Sequence, residues 1–345
     1  MEQPKALCSK APVWITGGMG FIGSHLVQRL LATNKVLNLD SLTYAASFRT
    51  CELFDGHAGH EFSHASILDG EVIRKALERT QPDFIFHLAA ESHVDRSISS
   101  PAVFIETNVL GTQVLLDAVT DYWNSLSVDR QNSFRFIQVS TDEVYGQLSA
   151  KDAPFTENSP YQPRSNYAAS KAASDHLVSA HVATHGLPAI ITHCSNNFGS
   201  RQHSEKFIPT IIRSAIADQP IPIYGSGLQQ RDWLAVEDHV DGLIATAKFG
   251  NVGEHYLFGA DCELSNLALA EQVCQILDQQ KPRSDGKSYS AQIAHISDRP
   301  GHDFRYAVDT SKAQKKLSWS AQRTFFEALN ATISWYLKHP NWHAG

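Results

Sequence analysis

Short apolar runs alternate along the chain with longer stretches of helical period, the texture of a parallel sheet covered on both faces. The runs Val13 to Thr16, Val36 to Asp40, Glu61 to Ala65, Asp83 to Ala90 and Phe134 to Thr141 read as early strands, and Pro188 to Cys194 as a sixth. Helical spacing falls between them at Phe21 to Ala32, Gly70 to Thr80 and Pro101 to Trp123, where Pro101 suits a first helical turn. After Asn197 the texture changes: Pro209, Pro220, Pro222, Gly225 and Gly227 cut the chain into shorter pieces, and Pro282 to Gly286 marks an exposed loop. The pattern predicts an α/β fold, a Rossmann-type doubly wound parallel sheet with a smaller C-terminal substrate-binding region. Residues 1–197 mainly form the dinucleotide-binding part and residues 198–345 mainly the substrate part, with some chain crossing back to the sheet.

Composition narrows the function classes. The chain has 345 residues, 42% hydrophobic and 19% charged, which is enough to bury one large or two modest cores and argues against disorder. Cys8, Cys51, Cys194, Cys262 and Cys274 lack CxxC or metal-ligand spacing, and the 17 histidines form no HExxH, so neither a disulfide framework nor a metal site is expected. A net charge of -7 with dispersed basic residues argues against nucleic acid as a partner. The first dozen residues lack the apolar core of a signal peptide, and no stretch approaches the ~20 apolar residues of a membrane span. A cytoplasmic protein without a membrane partner is the expectation.

Three motifs carry chemistry. ITGGMGFIG, containing Gly18-x-Gly20-x-x-Gly23, follows a strand and opens a helix, so backbone amides can approach a pyrophosphate at the helix N-terminus. Asp40 ends the next strand about 20 residues later, where an acid bonds a ribose 2'-hydroxyl and favours NAD over NADP. Tyr167-x-x-x-Lys171 places a phenol and an ammonium on one helix face, an arrangement that stabilises a phenolate able to take a hydroxyl proton during hydride transfer. The same spacing also describes a surface pair on an amphipathic helix, and the glycine turn upstream favours the catalytic reading. Asp142 and Glu143 follow Thr141 at the C-terminal edge of a strand, where open parallel sheets bind ligands. Oxidation of one sugar carbon acidifies its neighbour, so one carboxylate can remove that proton while a protonated carboxyl helps hydroxide leave as water.

With these residues in hand, the chain resembles the extended short-chain dehydrogenase/reductases and, within them, the dTDP-glucose 4,6-dehydratases. The resemblance runs from about Val13 to Trp335. It is carried by TGGMGFIGS, LTYA after Asp40, HLAAESHVDRSI at 87–98, FIETN at 104–108, STDEVYG at 140–146, YAASKAASDHLV at 167–178, CSNNFG at 194–199, RDWLAVEDH at 231–239 and DRPGHDFRYAVD at 298–309. It implies Thr141 as a sugar contact, Asp142 as general acid, Glu143 as base at C5, Tyr167 as base for C4 oxidation and Lys171 as its electrostatic partner and a ribose contact. For NAD it implies Gly17, Gly20, Phe21, Ile22, Gly23, Asp40, Ser41, Leu42, Thr43, Ile67, Leu88, Ala89, Ala90, Thr107, Tyr167, Lys171 and Asn197. For a nucleoside diphosphate hexose it implies Ser92, Thr141, Asn196, Lys206, Phe207, Pro222, Tyr224, Arg231, Asn266, Arg299 and His302. Arg231 suits a diphosphate because its planar fork donates two charge-assisted bonds, the alternative being an ion pair with Asp232 or Glu237. Lys206 and His302, read without the resemblance, are surface residues.

The implied reaction is NAD-dependent dehydration of dTDP-glucose to the 4-keto-6-deoxy sugar. The alternatives are a UDP-glucose 4,6-dehydratase, a sugar-nucleotide 4-epimerase and a non-catalytic NAD-binding protein. A homodimer through the helices near 101–123 and 165–185 is also implied. The chain departs from the family pattern at Ser66, where an Asp is usual, and at YAASF 44–48, SRQHSEK 200–206 and YLFGA 256–260. The TDE triplet is shared with UDP-glucose dehydratases and leaves the base open.

Overall fold

Seven strands form one parallel sheet in the computed structural model, which describes Leu7, residues 10–340 and Trp342; Cys8 lies outside the described residues. In chain order the strands are β1 (Val13–Thr16), β2 (Val36–Asp40), β3 (His60–His64), β4 (Phe84–His87), β5 (Arg135–Thr141), β6 (Ala189–Cys194), β7 (Asn196–Phe198), β8 (Ile221–Tyr224), β9 (Gln230–Ala235), β10 (His255–Phe258), β11 (Glu263–Ser265) and β12 (Ile293–Ile296). The large sheet runs β3-β2-β1-β4-β5-β6-β10. Strand order reverses between β1 and β4, so the loops after these two strands part and leave a crevice over their carboxyl ends.

The six early strands lie within a residue or two of their expected positions, apart from β4, which stops at His87. The central strands β1, β2, β4 and β6 are buried along their whole lengths, as continuous apolar runs require. Trp14, Leu37, Ile85 and Phe136 pack on one face against Leu115, Leu116 and Val119, while Ile15, Phe86 and Ile137 pack on the other against Leu26 and Val27. The chain re-enters this sheet at β10, paired with β6, after forming β7, β8 and β9 outside it. A separate cluster built from Ile211, Trp233, Val273 and Ile333 supports those outer strands.

The predicted helix from Pro101 to Trp123 is interrupted. It comprises a helical turn Pro101–Phe104, a π-helical segment Ile105–Gly111 and the α-helix Thr112–Asn124. The interruption has a side-chain cause in Asn108, which is 1% exposed. Its Oδ1 accepts from Glu91 N at 2.8 Å, and its Nδ2 donates to Glu91 O at 3.0 Å and to Ser170 Oγ at 2.9 Å. The widened turn lets one side chain tie the loop after β4 to the helix Asn166–His185. Asn108→Ala orphans the buried Glu91 amide and carbonyl and should lower unfolding free energy by about 2 kcal/mol, measured by urea denaturation. A loss below about 0.5 kcal/mol, the range of ordinary surface substitutions, would show that the tie is dispensable.

The expectation that no stretch approaches a membrane span is corrected for Pro101–Asn124. That stretch is long and apolar enough to cross a membrane by length and composition, with mean hydropathy 1.3 and 44% of its apolar window buried. Glu106, Asp117 and Asp121 break the run when it is scanned by eye, whereas the apolar surplus is spent on the sheet, where Leu115, Leu116 and Val119 are fully buried.

Candidate active site

The turn after β1 brings backbone against backbone. Gly17 has φ +73, and a Cβ there would meet Ala89 N at 2.6 Å; a Cβ on Gly23 would meet Gly17 O at 2.1 Å. Glycine is therefore needed for the turn, and again for the helix to pack on it. The helix Phe21–Leu31 starts at Gly20 with no side-chain cap and no acid in its first turn, which leaves its amides to an anion. Asp40 accepts from Met19 N at 2.9 Å and Leu42 N at 2.8 Å, so the end of β2 is clamped to the glycine turn. Burial pushes the Asp40 carboxyl above its ordinary value against the pull of these two amides. Each of its oxygens retains a lone pair for a ribose hydroxyl.

These groups line a cleft of about 480 Å³ along the carboxyl ends of the strands. Of the cofactor positions expected from sequence, all but Leu42 line it. Leu42 instead adopts φ 52 and turns its amide to Asp40. Ser92, Thr141, Asn196 and Lys206 from the substrate set also line it, together with Asp142 and Glu143. The glycine cradle, the uncapped helix and the strand-end acid fit a dinucleotide at one end of a cleft whose other end holds the carboxylate pair.

β5 ends at Thr141, and a 3-10 turn Asp142–Tyr145 follows. Thr141 Oγ1 accepts from Glu143 N at 3.3 Å and donates to Asp142 Oδ1 at 3.4 Å, so one side chain orders both acids. Asp142 is 2% exposed, and its Oδ2 is buried without a hydrogen-bond partner. Burial, then the charges of Glu143 and Asp232, push the Asp142 carboxyl well above its ordinary value. Burial also raises Glu143, but Arg299, Arg231 and Lys206 pull it back toward the ionised form. Neighbouring carboxyls whose environments part them in this way divide acid and base between them, with Asp142 holding the proton.

The helix Asn166–His185 begins at Ser165, whose Oγ accepts from Ala168 N at 3.0 Å. That cap sets Tyr167 in the first turn and Lys171 one turn on. Both reach the cleft, and the Tyr167 ring meets Phe104 edge to face at 6.4 Å. The expectation that Lys171 lowers the phenol is corrected here. Tyr167 is held well above its ordinary value by burial first and then by the charge of Glu143. Lys171 Nζ donates to Val139 O at 2.8 Å, so the ammonium is pinned to β5. Helical spacing alone cannot reveal that carbonyl.

Of the remaining substrate set, seven residues stand outside the main cleft. Phe207 stacks on Trp233, Pro222 pairs in β8 with Ala294 of β12, and Asn266 opens a helix beside Gln229. Tyr224 donates to Asp95 at 3.4 Å, and Arg299 reaches the same carboxylate at 3.2 Å. The ion-pair alternative for Arg231 does not hold, because its guanidinium turns to backbone carbonyls and not to Asp232 or Glu237. It is buried, donates to the carbonyls of Gln230 at 2.7 Å and Asp303 at 2.9 Å, and lies 4.3 Å over the Tyr306 ring. The surface reading of Lys206 and His302 is also corrected. Lys206 is half-buried and donates to Ser92 O at 3.0 Å, and the His302 side chain is 6% exposed beside Asp298. Lys206 meets the loop of Ser92, 114 residues earlier, and the His302 ring meets Tyr224 edge to face, contacts that the local sequence does not reveal.

Sequence reading missed Asn108, Glu91, Cys194 and Glu205. All but Asn108 line the cleft, and none of the four carries a local signal in the sequence: Asn108 follows Glu106 and Thr107 in FIETNVLG and does not stand out there.

The family model described as GDP-mannose 4,6 dehydratase matches residues 14–332. A dTDP-glucose 4,6-dehydratase of Xanthomonas campestris pv. campestris (strain B100) is 48% identical, covering 96% of this chain and 94% of its own. dTDP-glucose 4,6-dehydratase 1 of Escherichia coli (strain K12) is 45% identical with the same coverage. The crystal structure of DesIV, a dTDP-glucose 4,6-dehydratase from Streptomyces venezuelae with NAD bound, superposes with a TM-score of 0.87 at 38% identity, over 96% of this chain and 98% of that one.

Proposed function

The chain belongs to the GDP-mannose 4,6 dehydratase family and, within it, to the dTDP-glucose 4,6-dehydratases, and from this membership and the divided carboxylate pair we propose the reaction it performs. It is an NAD-dependent hydro-lyase that converts dTDP-glucose to dTDP-4-keto-6-deoxyglucose. The single observation that carries the chemistry is Asp142 beside Glu143 at the end of β5, lining one cleft with Tyr167; burial raises both carboxyls, Asp142 the more strongly, and three cations oppose the rise at Glu143. Alcohol oxidation or 4-epimerisation needs only the tyrosine, whereas water loss needs both carboxyls.

The glycine turn and Asp40 would hold NAD, which when bound would supply the hydride acceptor for C4 and the hydride source for C6. Tyr167 takes the proton of the C4 hydroxyl. The ketone acidifies C5, and Glu143 removes the C5 proton; Asp142 gives its proton to the C6 hydroxyl, which leaves as water. Glu143 then returns its proton to C5. The turnover ends with Tyr167 holding the proton from O4 and Asp142 lacking one, so a proton passes from phenol to carboxylate before the next turnover. Residues 198–345 supply most substrate contacts, with Arg231, Arg299 and Lys206 as the cations for the diphosphate. The test is dTDP-glucose deuterated at C4. Deuterium recovered at C6 of the product is expected, and a product without it excludes internal hydride return.

A second copy of the chain is the proposed partner. Ile98, Ile105 and Leu110 are each 46–53% exposed between 94 and 111, apolar surface of the kind that dimers bury. Sedimentation equilibrium showing a monomer at micromolar concentration would remove this part of the reading.

A further inference from the structure

Behind Lys171, away from the cleft, the fold buries a second ionisable group. Asp175 lies one helical turn beyond Lys171 on the same helix and is fully buried. Its Oδ2 accepts from Ser140 Oγ at 2.6 Å and from the Tyr161 hydroxyl at 3.3 Å, and it lies 3.3 Å from Nε2 of His193, which is also fully buried. Its Oδ1 accepts from Gln138 Nε2 at 3.4 Å. His193 is held in turn: its Nε2 is 2.8 Å from the Tyr161 hydroxyl, its Nδ1 is 3.3 Å from the Tyr145 hydroxyl, and its ring stacks on His255. Ser140 immediately precedes Thr141, and Val139, the carbonyl partner of Lys171, precedes Ser140. One carboxylate therefore anchors the strand segment that carries Thr141 and supplies a negative charge near the ammonium.

We propose that Asp175, paired with His193, is a positioning residue for C4 oxidation that keeps the Lys171 side chain charged and the end of β5 in register with Tyr167. Burying a cation is costly unless an anion is near, and the cleft carboxylates lie on the Tyr167 side. Burial pushes Lys171 below its ordinary value, and the Asp175 charge opposes this. Burial pushes Asp175 up, but the hydrogen bond and charge of His193, with Lys171 and Ser140, outweigh it and leave the carboxyl below its ordinary value. The other titratable groups facing this centre are Tyr145, Tyr161, Cys194, His87 and His255. Burial raises the first three and lowers the two histidines, so none of these five carries charge at neutral pH.

The inference rests on the dehydratase reading, and turnover of dTDP-glucose by the unmutated protein tests that reading separately. Asp175→Asn keeps the shape and removes the charge. Tyr167 and Lys171 together then lose a proton more easily, but it leaves the ammonium rather than the phenol. Single-turnover oxidation of dTDP-glucose, followed across pH by reduced-nicotinamide absorbance, should show a plateau about tenfold lower and a midpoint about one pH unit lower than the unmutated protein. Bound NAD content and KM should be unchanged, and Asp175→Glu should restore the midpoint. A midpoint that stays or rises, whatever the plateau, overturns the proposal, because a loosened structure slows the rate without moving the midpoint downward. If Asp175→Asn does not fold, isotopically labelled lysine in the unmutated protein decides, with the Lys171 ε-carbon resonance assigned by its absence from Lys171→Met. Lys171 charged throughout the active pH range is expected, and Lys171 neutral at the oxidation midpoint overturns the proposal.

Discussion

Tyr167→Phe should slow C4 oxidation by roughly 10³-fold, within the 10²–10⁴ that a positioned general base contributes. The substitution keeps the ring that meets Phe104 edge to face and removes only the hydroxyl, so fold and NAD content should be unaffected. Stopped-flow absorbance after mixing the NAD-loaded protein with dTDP-glucose reads the step directly. In the unmutated protein the same step should quicken as pH rises. The active base is the phenolate, the folded protein holds the phenol well above its ordinary value, and the base is therefore lost as pH falls. Reduced nicotinamide forming in Tyr167→Phe at the unmutated rate would take Tyr167 out of the mechanism.

Glu143→Gln should separate oxidation from elimination. The amide can accept no proton from C5, so formation of dehydrated product should fall by roughly 10²–10⁴-fold. Tyr167 and Lys171 are unaltered, and reduced nicotinamide should accumulate with unreleased sugar nucleotide. The two variants are thus expected to differ in kind, one failing before hydride transfer and the other after it. Dehydration by Glu143→Gln at the unmutated rate would assign the C5 proton to another base. Asp142 would be the wrong candidate, since burial and the neighbouring Glu143 charge keep its carboxyl protonated.

The parts of this site that were legible in the sequence are those fixed by local geometry. The strand runs ending at Thr16, Asp40 and Thr141, the glycine turn, and the four-residue spacing from Tyr167 to Lys171 all follow from periods of two and 3.6 and from backbone sterics. What escaped depends on partners far away in sequence. Asn108 widens its helix because Glu91 and Ser170 meet it, 17 and 62 residues away. Lys171 turns to the Val139 carbonyl, 32 residues earlier, and Arg231 gives its fork to Asp303, 72 residues later. The return of β10 to the sheet was anticipated only as chain crossing back, because its short run HYLF reads the same whether it pairs with β6 or lies in the outer layer. The pairing of Asp175 with His193 has no local signature at all; it exists because the helix Asn166–His185 packs across β5 and β6.

Ser66 lines the cleft at a position where the resemblance led to an Asp, and Asp40 gives one lone pair of each oxygen to a backbone amide, leaving one on each for a ribose hydroxyl. The adenosine end of the cleft is thus held more by backbone than by side-chain charge. The substrate end is the opposite: Lys206, Arg231 and Arg299 all act on Glu143, so the cations that suit a diphosphate also set the base. Binding and elimination are coupled through that shared field, and bound diphosphate, by neutralising these cations, would make Glu143 a stronger base at the moment it is needed.

The most direct test of the central claim is the mass of dTDP-glucose, and separately of UDP-glucose, after incubation with the protein and NAD. Loss of one water from dTDP-glucose, faster than from UDP-glucose, is the expected result. An unchanged dTDP-glucose mass in the presence of protein-bound NAD would contradict the dehydratase account, because every group it requires would then be in place without the reaction.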